Sequence, residues 1–141
     1  MADGHDLERF VAAQADVYEQ ALAELEAGRK ESHWMWFVFP QIAGLGRSAT
    51  ARHYAIASRD EAAAYFSHPV LGSRLVECTE AVLRHPETPA DFIFGAVDAM
   101  KFHSSLTLFD AVAGAFEPSF GEALHIFFGG ERDKRTVELL G

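Results

Sequence analysis

The stretch Lys30–Ser48, KESHWMWFVFPQIAGLGRS, holds both tryptophans of the chain, two phenylalanines, a proline and two glycines beside His33, Gln41, Arg47 and Ser48. A segment this aromatic is costly to leave in water as a loop, and its polar ends keep it from being wholly core. It must lie where a core meets a surface, which is the setting of a pocket. Within it, Ser32 can cap a turn or two of helix that Pro40 must end, because the residue before a proline is pushed out of the α region. A strand over Trp34 to Phe39 also fits so short an apolar run, and the helix is the favoured reading.

The 141 residues suffice for one core, and no tract repeats or sustains a β alternation. Helix punctuation is frequent instead. Asp6 is placed to cap a first helix, Asp16 with Glu19 and Ser58 with Glu61 read as capping boxes, and Gly28 stops the second helix. Ser48 or Thr50 can start a short helix through Tyr54. Pro69 suits the opening of a longer one capped by Ser67 or His68, with Leu71, Leu75, Cys78 and Val82 on one stripe. From Val97 to about Phe116 the chain reads as one helix, and Pro118, Gly129-Gly130 and Asp133 bound two more. The expected fold is all-α, a single compact domain over residues 6–141. It has about seven to eight short-to-medium helices and little or no β, with residues 1–5 expected to be disordered.

Lys and Arg number 12 against 21 Asp and Glu, giving a net charge of −9 and a pI near 5.1, a balance that repels phosphate backbones and anionic membranes. Nucleic acid is not an expected partner. No run reaches the ~18 apolar residues of a membrane span, and the N-terminus has no basic start followed by an apolar run. The single Cys78 forms no internal disulfide and fits a reducing compartment. A cytoplasmic protein is the expectation. Cys78 falls on the apolar stripe of its helix, where an inert core thiol is expected. The seven histidines are scattered without metal-ligand spacing, so neither a metal nor a cofactor is expected.

The sharpest anomaly lies in the helix after Gly95. At about 100° per residue, Asp98, Lys101 and Ser105 share one arc with Val97, Leu108 and Val112, while His103, Thr107 and Asp110 lie opposite. A charged pair on an apolar face must be compensated. It is either a buried structural ion pair or part of a pocket, in which Lys101 meets an anionic or carbonyl group and Asp98 accepts a proton or hydrogen bond. The discriminating observation is whether a cleft open to solvent reaches Lys101. Gly44-Leu45-Gly46-Arg47-Ser48 is a further candidate, a turn whose backbone N–H groups, Arg47 and Ser48 could cradle an anion, although it matches no established phosphate motif.

The chain resembles an uncharacterised bacterial family, domain-of-unknown-function family eighteen-ten, whose members often carry the label calpastatin. The resemblance is carried by Lys30, SHWMWFVFPQ at 32–41, GLGRS at 44–48, YAI at 54–56, HPVLGSRL at 68–75, Phe94-Gly95, Asp98, Lys101, Ser104-Ser105 and TLF at 107–109. Where the family pattern tends to have Leu then Ser after its lysine, this chain has Phe102 and His103. The resemblance implies a mainly helical fold and no settled activity. The calpastatin label is set aside, since such inhibitors are long, disordered and repeated. A looser likeness is to the helical family that processes NAD and ADP-ribose derivatives, including a riboflavin-pathway N-glycosidase. It rests on an Ala-x-Tyr-Phe, His-Pro-x-Leu, Arg-Leu-x-Glu middle, and no catalytic residue carries across on it.

These readings converge on a small-molecule site. Asp98 and Lys101 are the expected catalytic pair, and His33, Trp34, Trp36, Gln41, Gly46, Arg47, Ser48, Ser104 and Ser105 the expected ligand-binding residues. The expected activity is binding or hydrolysis of a nucleotide-like or ADP-ribosyl metabolite at a glycosidic bond. The alternative is a non-catalytic ligand-binding or protein-interaction module with a structural Asp98-Lys101 pair.

Overall fold

The computed structural model describes residues 5–141. Most of the stretch expected to be disordered, residues 1–4, lies outside the described residues; the His5 carbonyl accepts the Leu7 N–H at 2.7 Å. Ten helices follow in order: α1 Glu8–Gln14, α2 Tyr18–Glu26, α3 Met35–Val38, α4 Ala49–His53, α5 Arg59–Ser67, α6 Leu71–Leu83, α7 Ala90–Phe94, α8 Ala96–Ala113, α9 Ser119–Phe128 and α10 Lys134–Leu140. Ten exceeds the seven or eight expected because α3, α4 and α7 are single turns of four or five residues. Among the described residues the β content is one isolated parallel bridge, Ile42 to Ile56. No helix there is long and apolar enough to cross a membrane.

The caps divide by backbone. Ser48 accepts from the Ala51 N–H, Ser58 from Glu61 and Asp133 from Thr136, each from an extended residue. Glu61 reaches one residue past the N-cap of the expected box and accepts the Ala57 N–H at 2.6 Å rather than that of Ser58. Asp6 and Asp16 cap nothing: α1 starts from Leu7 and α2 from Val17, both with ψ near zero or below, so neither start has the extended residue that a side-chain cap requires. His68 caps through its ring, with Nδ1 accepting the N–H groups of Val70 and Leu71.

α8 is the central element and packs against α5, α7, α9 and α10. The Phe102 ring sits among Phe39, Phe94, Phe127 and Phe128, with the Phe94 ring stacked on it at 4.6 Å. α6 buries the expected stripe of Leu71, Leu75, Cys78 and Val82. Its Gly72 is obligatory, because a Cβ there would lie 1.8 Å from the Phe66 carbonyl oxygen at the end of α5. Two polar ties fix the N-terminal helix: Arg9 donates to the His53 and Ala55 carbonyls and pairs with Glu61 at 3.1 Å, and Gln14 donates to the Phe37 carbonyl and the Tyr65 hydroxyl.

One buried carboxylate shapes the aromatic segment. Glu24, 4 % exposed on the inner face of α2, accepts from the Glu31 N–H at 2.8 Å, the Ser32 N–H at 3.0 Å, the Ser32 hydroxyl, the Trp34 Nε1–H at 2.9 Å and the Gln20 amide at 2.8 Å. Ser32, expected to cap α3, is thus turned inward to Glu24, and Trp34 takes the N-cap position without a side-chain cap. Burial pushes this carboxyl's pKa up, yet the donors from Ser32, Glu31 and Gln20 outweigh it, and the net value falls from 4.5 to about 2.

Because the folded value lies below the unfolded one, the ionised nest stabilises the fold above pH 4.5, and that contribution is lost as the pH falls toward about 2. Glu24→Gln is expected to cost about 3 kcal/mol at pH 7. In urea denaturation the gap between wild type and variant closes as the pH is lowered through this window. A gap that stays constant from pH 7 to pH 3 would refute the assignment.

Candidate functional site

Gly95 both ends α7 and begins α8, at φ +84°, a backbone region that a side chain would strain. The turn places Asp98 in the first turn of α8, where a carboxylate also favours the helix dipole. Its Oδ2 pairs with Lys30 Nζ at 2.8 Å and its Oδ1 with Lys101 Nζ at 3.3 Å. Each ammonium also meets a tryptophan: Lys30 Nζ lies 5.1 Å from the Trp34 ring centroid and Lys101 Nζ 3.6 Å from that of Trp36. Cation–π attraction and the shared carboxylate therefore hold both lysines in fixed places. A recess of about 80 Å³ opens among Lys30, His33, the two tryptophans, Asp98 and Lys101.

Beside it runs a larger groove of about 500 Å³. One wall is α8, with Val97, Met100, Lys101, His103 and Ser104; a second is the segment with Trp36, Gln41, Leu45 and Gly46; a third is the start of α10, with Asp133 and Arg135. Trp36 and Lys101 belong to both cavities. An open cleft therefore reaches Lys101, the geometry that separates a pocket from a sealed ion pair. The pair is also not a pair: Lys30, with only 7 % of its side chain exposed, is the third member.

Five of the expected residues, Trp36, Gln41, Gly46, Lys101 and Ser104, come together in the groove, and Asp98, His33 and Trp34 in the recess. Trp34 is 1 % exposed and tied to Glu24, so its ring is core, whereas Trp36 is half-buried. Arg47 and Ser48 line neither cavity: both are exposed, and the Ser48 oxygen is spent on capping α4. Ser105 is 1 % exposed and its hydroxyl has no partner among the described residues. It shares an azimuth with Asp98 but lies seven residues along, about 10 Å further toward the core. The Ser104 hydroxyl pairs with Thr136 Oγ1 at 2.8 Å, tying α8 to α10.

The arc that faces the groove is Val97, Met100, Lys101 and Ser104, with His103 at one edge and Asp98 just beyond the other, in the recess. Reading the wheel from the charges alone centred it one side chain away and put His103 on the far side. Lys30, His103, Asp133 and Arg135 were missed. For Lys30 the signal was a lone cation beside the tryptophans; for α10 no local signal exists. The Cys78 thiol is fully buried, which pushes its pKa up to about 12, and it is an inert core group.

Fold and site together define a small all-helical protein with an open groove walled by a tryptophan and two cations. The chain belongs to the family described as Protein of unknown function (DUF1810), whose sequence profile matches residues 4–140. It is similar to the conserved hypothetical protein Rv1873 from Mycobacterium tuberculosis, whose crystal structure shares 49% identity over 98% of both chains with a TM-score of 0.95. None of the curated proteins compared matches it.

The three-membered network makes the two ends of the ion pair unequal. Lys101→Met leaves Asp98 its 2.8 Å partner Lys30 and is expected to cost less than about 1 kcal/mol. Asp98→Leu strands Lys30 inside the protein and is expected to cost about 2–3 kcal/mol. Equal losses in thermal or urea denaturation would show that Lys30 contributes nothing.

Proposed function

We propose that the groove binds a nucleotide-like, ADP-ribosyl class of metabolite and that its chemistry is hydrolysis at the glycosidic bond. The observation that carries this reading is Lys101, poised 3.6 Å over the Trp36 ring in an open groove of about 500 Å³. That volume suits a small metabolite. Trp36, with the Lys101 ammonium on one face of its ring, supplies an aromatic wall for a base, and Lys101 and Arg135 supply positive charge for phosphate oxygens beside the Asp133 carboxylate. Gln41 offers an amide to sugar hydroxyls. The likeness to the ADP-ribose-processing family points to the same ligand class.

In this reading Lys101 contacts the ligand. Asp98, with each oxygen facing an ammonium group, holds Lys101 over Trp36. Val97 and Met100, 67% and 73% exposed on the groove's lip, support the second reading, a non-catalytic module whose apolar rim receives a partner segment.

A thermal-shift series with ADP-ribose, NAD, mononucleotides and sugar phosphates tests the proposal. A ligand at a hundred times its Kd adds about 2.7 kcal/mol, a shift of several degrees in a domain this size. ADP-ribose or NAD is expected to raise Tm in the wild type but not in Trp36→Ala or Lys101→Met. Chromatography of the incubated ligand then separates the readings: a released base supports hydrolysis, and binding without turnover supports the module. No shift with any of these compounds would refute the ligand class.

A further inference from the structure

His103 occupies a setting that its sequence position concealed. Its ring lines an edge of the groove that Lys101 and Ser104 also line. One face is stacked on Phe128 of α9, with centroids 4.1 Å apart and planes 5° from parallel. Its Nε2 lies 2.7 Å from the Glu131 carbonyl oxygen in the turn before α10. A carbonyl only accepts, so in the neutral ring the proton sits on Nε2 and the lone pair on Nδ1. Among the described residues nothing engages Nδ1. The imidazole is therefore fixed in orientation by the stack and in tautomer by the hydrogen bond, with one basic nitrogen left over. That pattern positions a histidine for proton transfer.

We infer that His103 is the proton acceptor of the groove, acting on the water or sugar hydroxyl of a ribosylated ligand. The inference rests on the glycosidic reading and assigns its base to a residue other than Asp98. In the hydrolytic step the water oxygen bonds to the anomeric carbon, and the bond to the leaving nitrogen breaks with its electron pair passing to that nitrogen. The water proton goes to Nδ1; with a purine leaving group it passes on to the leaving nitrogen, giving a sugar hydroxyl and an N–H, whereas nicotinamide leaves as the neutral ring and the proton passes from Nδ1 to solvent. No oxidant, reductant or metal is required for this balance. Asp98 is the poorer acceptor, because each of its oxygens faces an ammonium group.

Diethyl pyrocarbonate, which acylates accessible unprotonated imidazole nitrogens, tests the assignment on the wild-type protein, with each histidine peptide followed by mass spectrometry. His103 is expected to react at a rate comparable with that of the exposed His33, and ADP-ribose is expected to slow His103 selectively. An unreactive His103 overturns the proposal. Reaction unaffected by ADP-ribose, under conditions where ADP-ribose still raises Tm, removes His103 from the ligand's seat and leaves the binding reading standing. If ADP-ribose and NAD raise no Tm, the glycosidic reading fails first and takes this role with it. His103→Gln keeps an N–H for the Glu131 carbonyl but lacks the basic nitrogen. On any nucleoside derivative that the wild type hydrolyses, turnover should fall by about 10²-fold or more with Tm and Kd unchanged. Full turnover by that variant overturns the proposal.

Discussion

The Glu24 carboxylate is the contact on which the site side of the molecule depends. It gathers two consecutive backbone N–H groups, a hydroxyl and an indole N–H from a segment with almost no regular structure of its own. A carboxylate buried among such donors is stable only with all of them present, so it selects a single path for residues 31–34. That path turns Trp34 inward, leaves Trp36 half-exposed two residues later, and brings Lys30 to Asp98. The ends of the segment are held elsewhere: the Lys30 N–H donates to the Ile93 carbonyl at 2.6 Å, and Gln41 and Ala43 exchange backbone hydrogen bonds with Ile56 at 2.8 Å.

Against this frame the groove is a meeting of three chain segments distant in sequence. α8 gives it a floor that is apolar at the lip and cationic at Lys101, the aromatic segment gives a ring, and α10 gives Arg135. The Ser104–Thr136 hydrogen bond and the Thr107 hydroxyl, which accepts the Asp133 N–H at 2.9 Å, hold α10 against α8. The groove thereby receives two cations, Lys101 and Arg135, together with the Asp133 carboxylate, and Lys101 and Arg135 are themselves paired with Asp98 and Glu138. The alternation Lys30, Asp98, Lys101 between two indoles also explains how two ammonium groups are tolerated close together: each has a carboxylate oxygen and an aromatic face.

The local sequence was a good guide wherever the physics is local. Caps at Ser48 and Ser58, the helix bound at Asp133, the Gly28 stop and the stripe of α6 all rest on local pattern, and all stand in the structure. It misled where the backbone leading into a helix was already turned, at Asp6 and Asp16, and where a side chain had a distant competitor, as Ser32 did in Glu24. The Asp98 and Lys101 anomaly was legible because two charges three residues apart on an apolar arc demand compensation. Their third partner was not legible, because Lys30 lies far back in the chain.

The sequence by itself determined an all-helical chain, the aromatic segment at the edge of a core, the charged face of α8 and the family to which it belongs, since each follows from periodicity, capping or a contiguous string of residues. Only the tertiary structure decided which tryptophan faces the groove, that Ser105 is core while Ser104 faces α10, and that His103 lines the groove with its tautomer set by Glu131. A helical wheel fixes the angle between side chains on one helix. Which sector stays open depends on where the neighbouring elements pack, and those neighbours, the 36–46 segment and α10, are brought to α8 by contacts that no local pattern encodes.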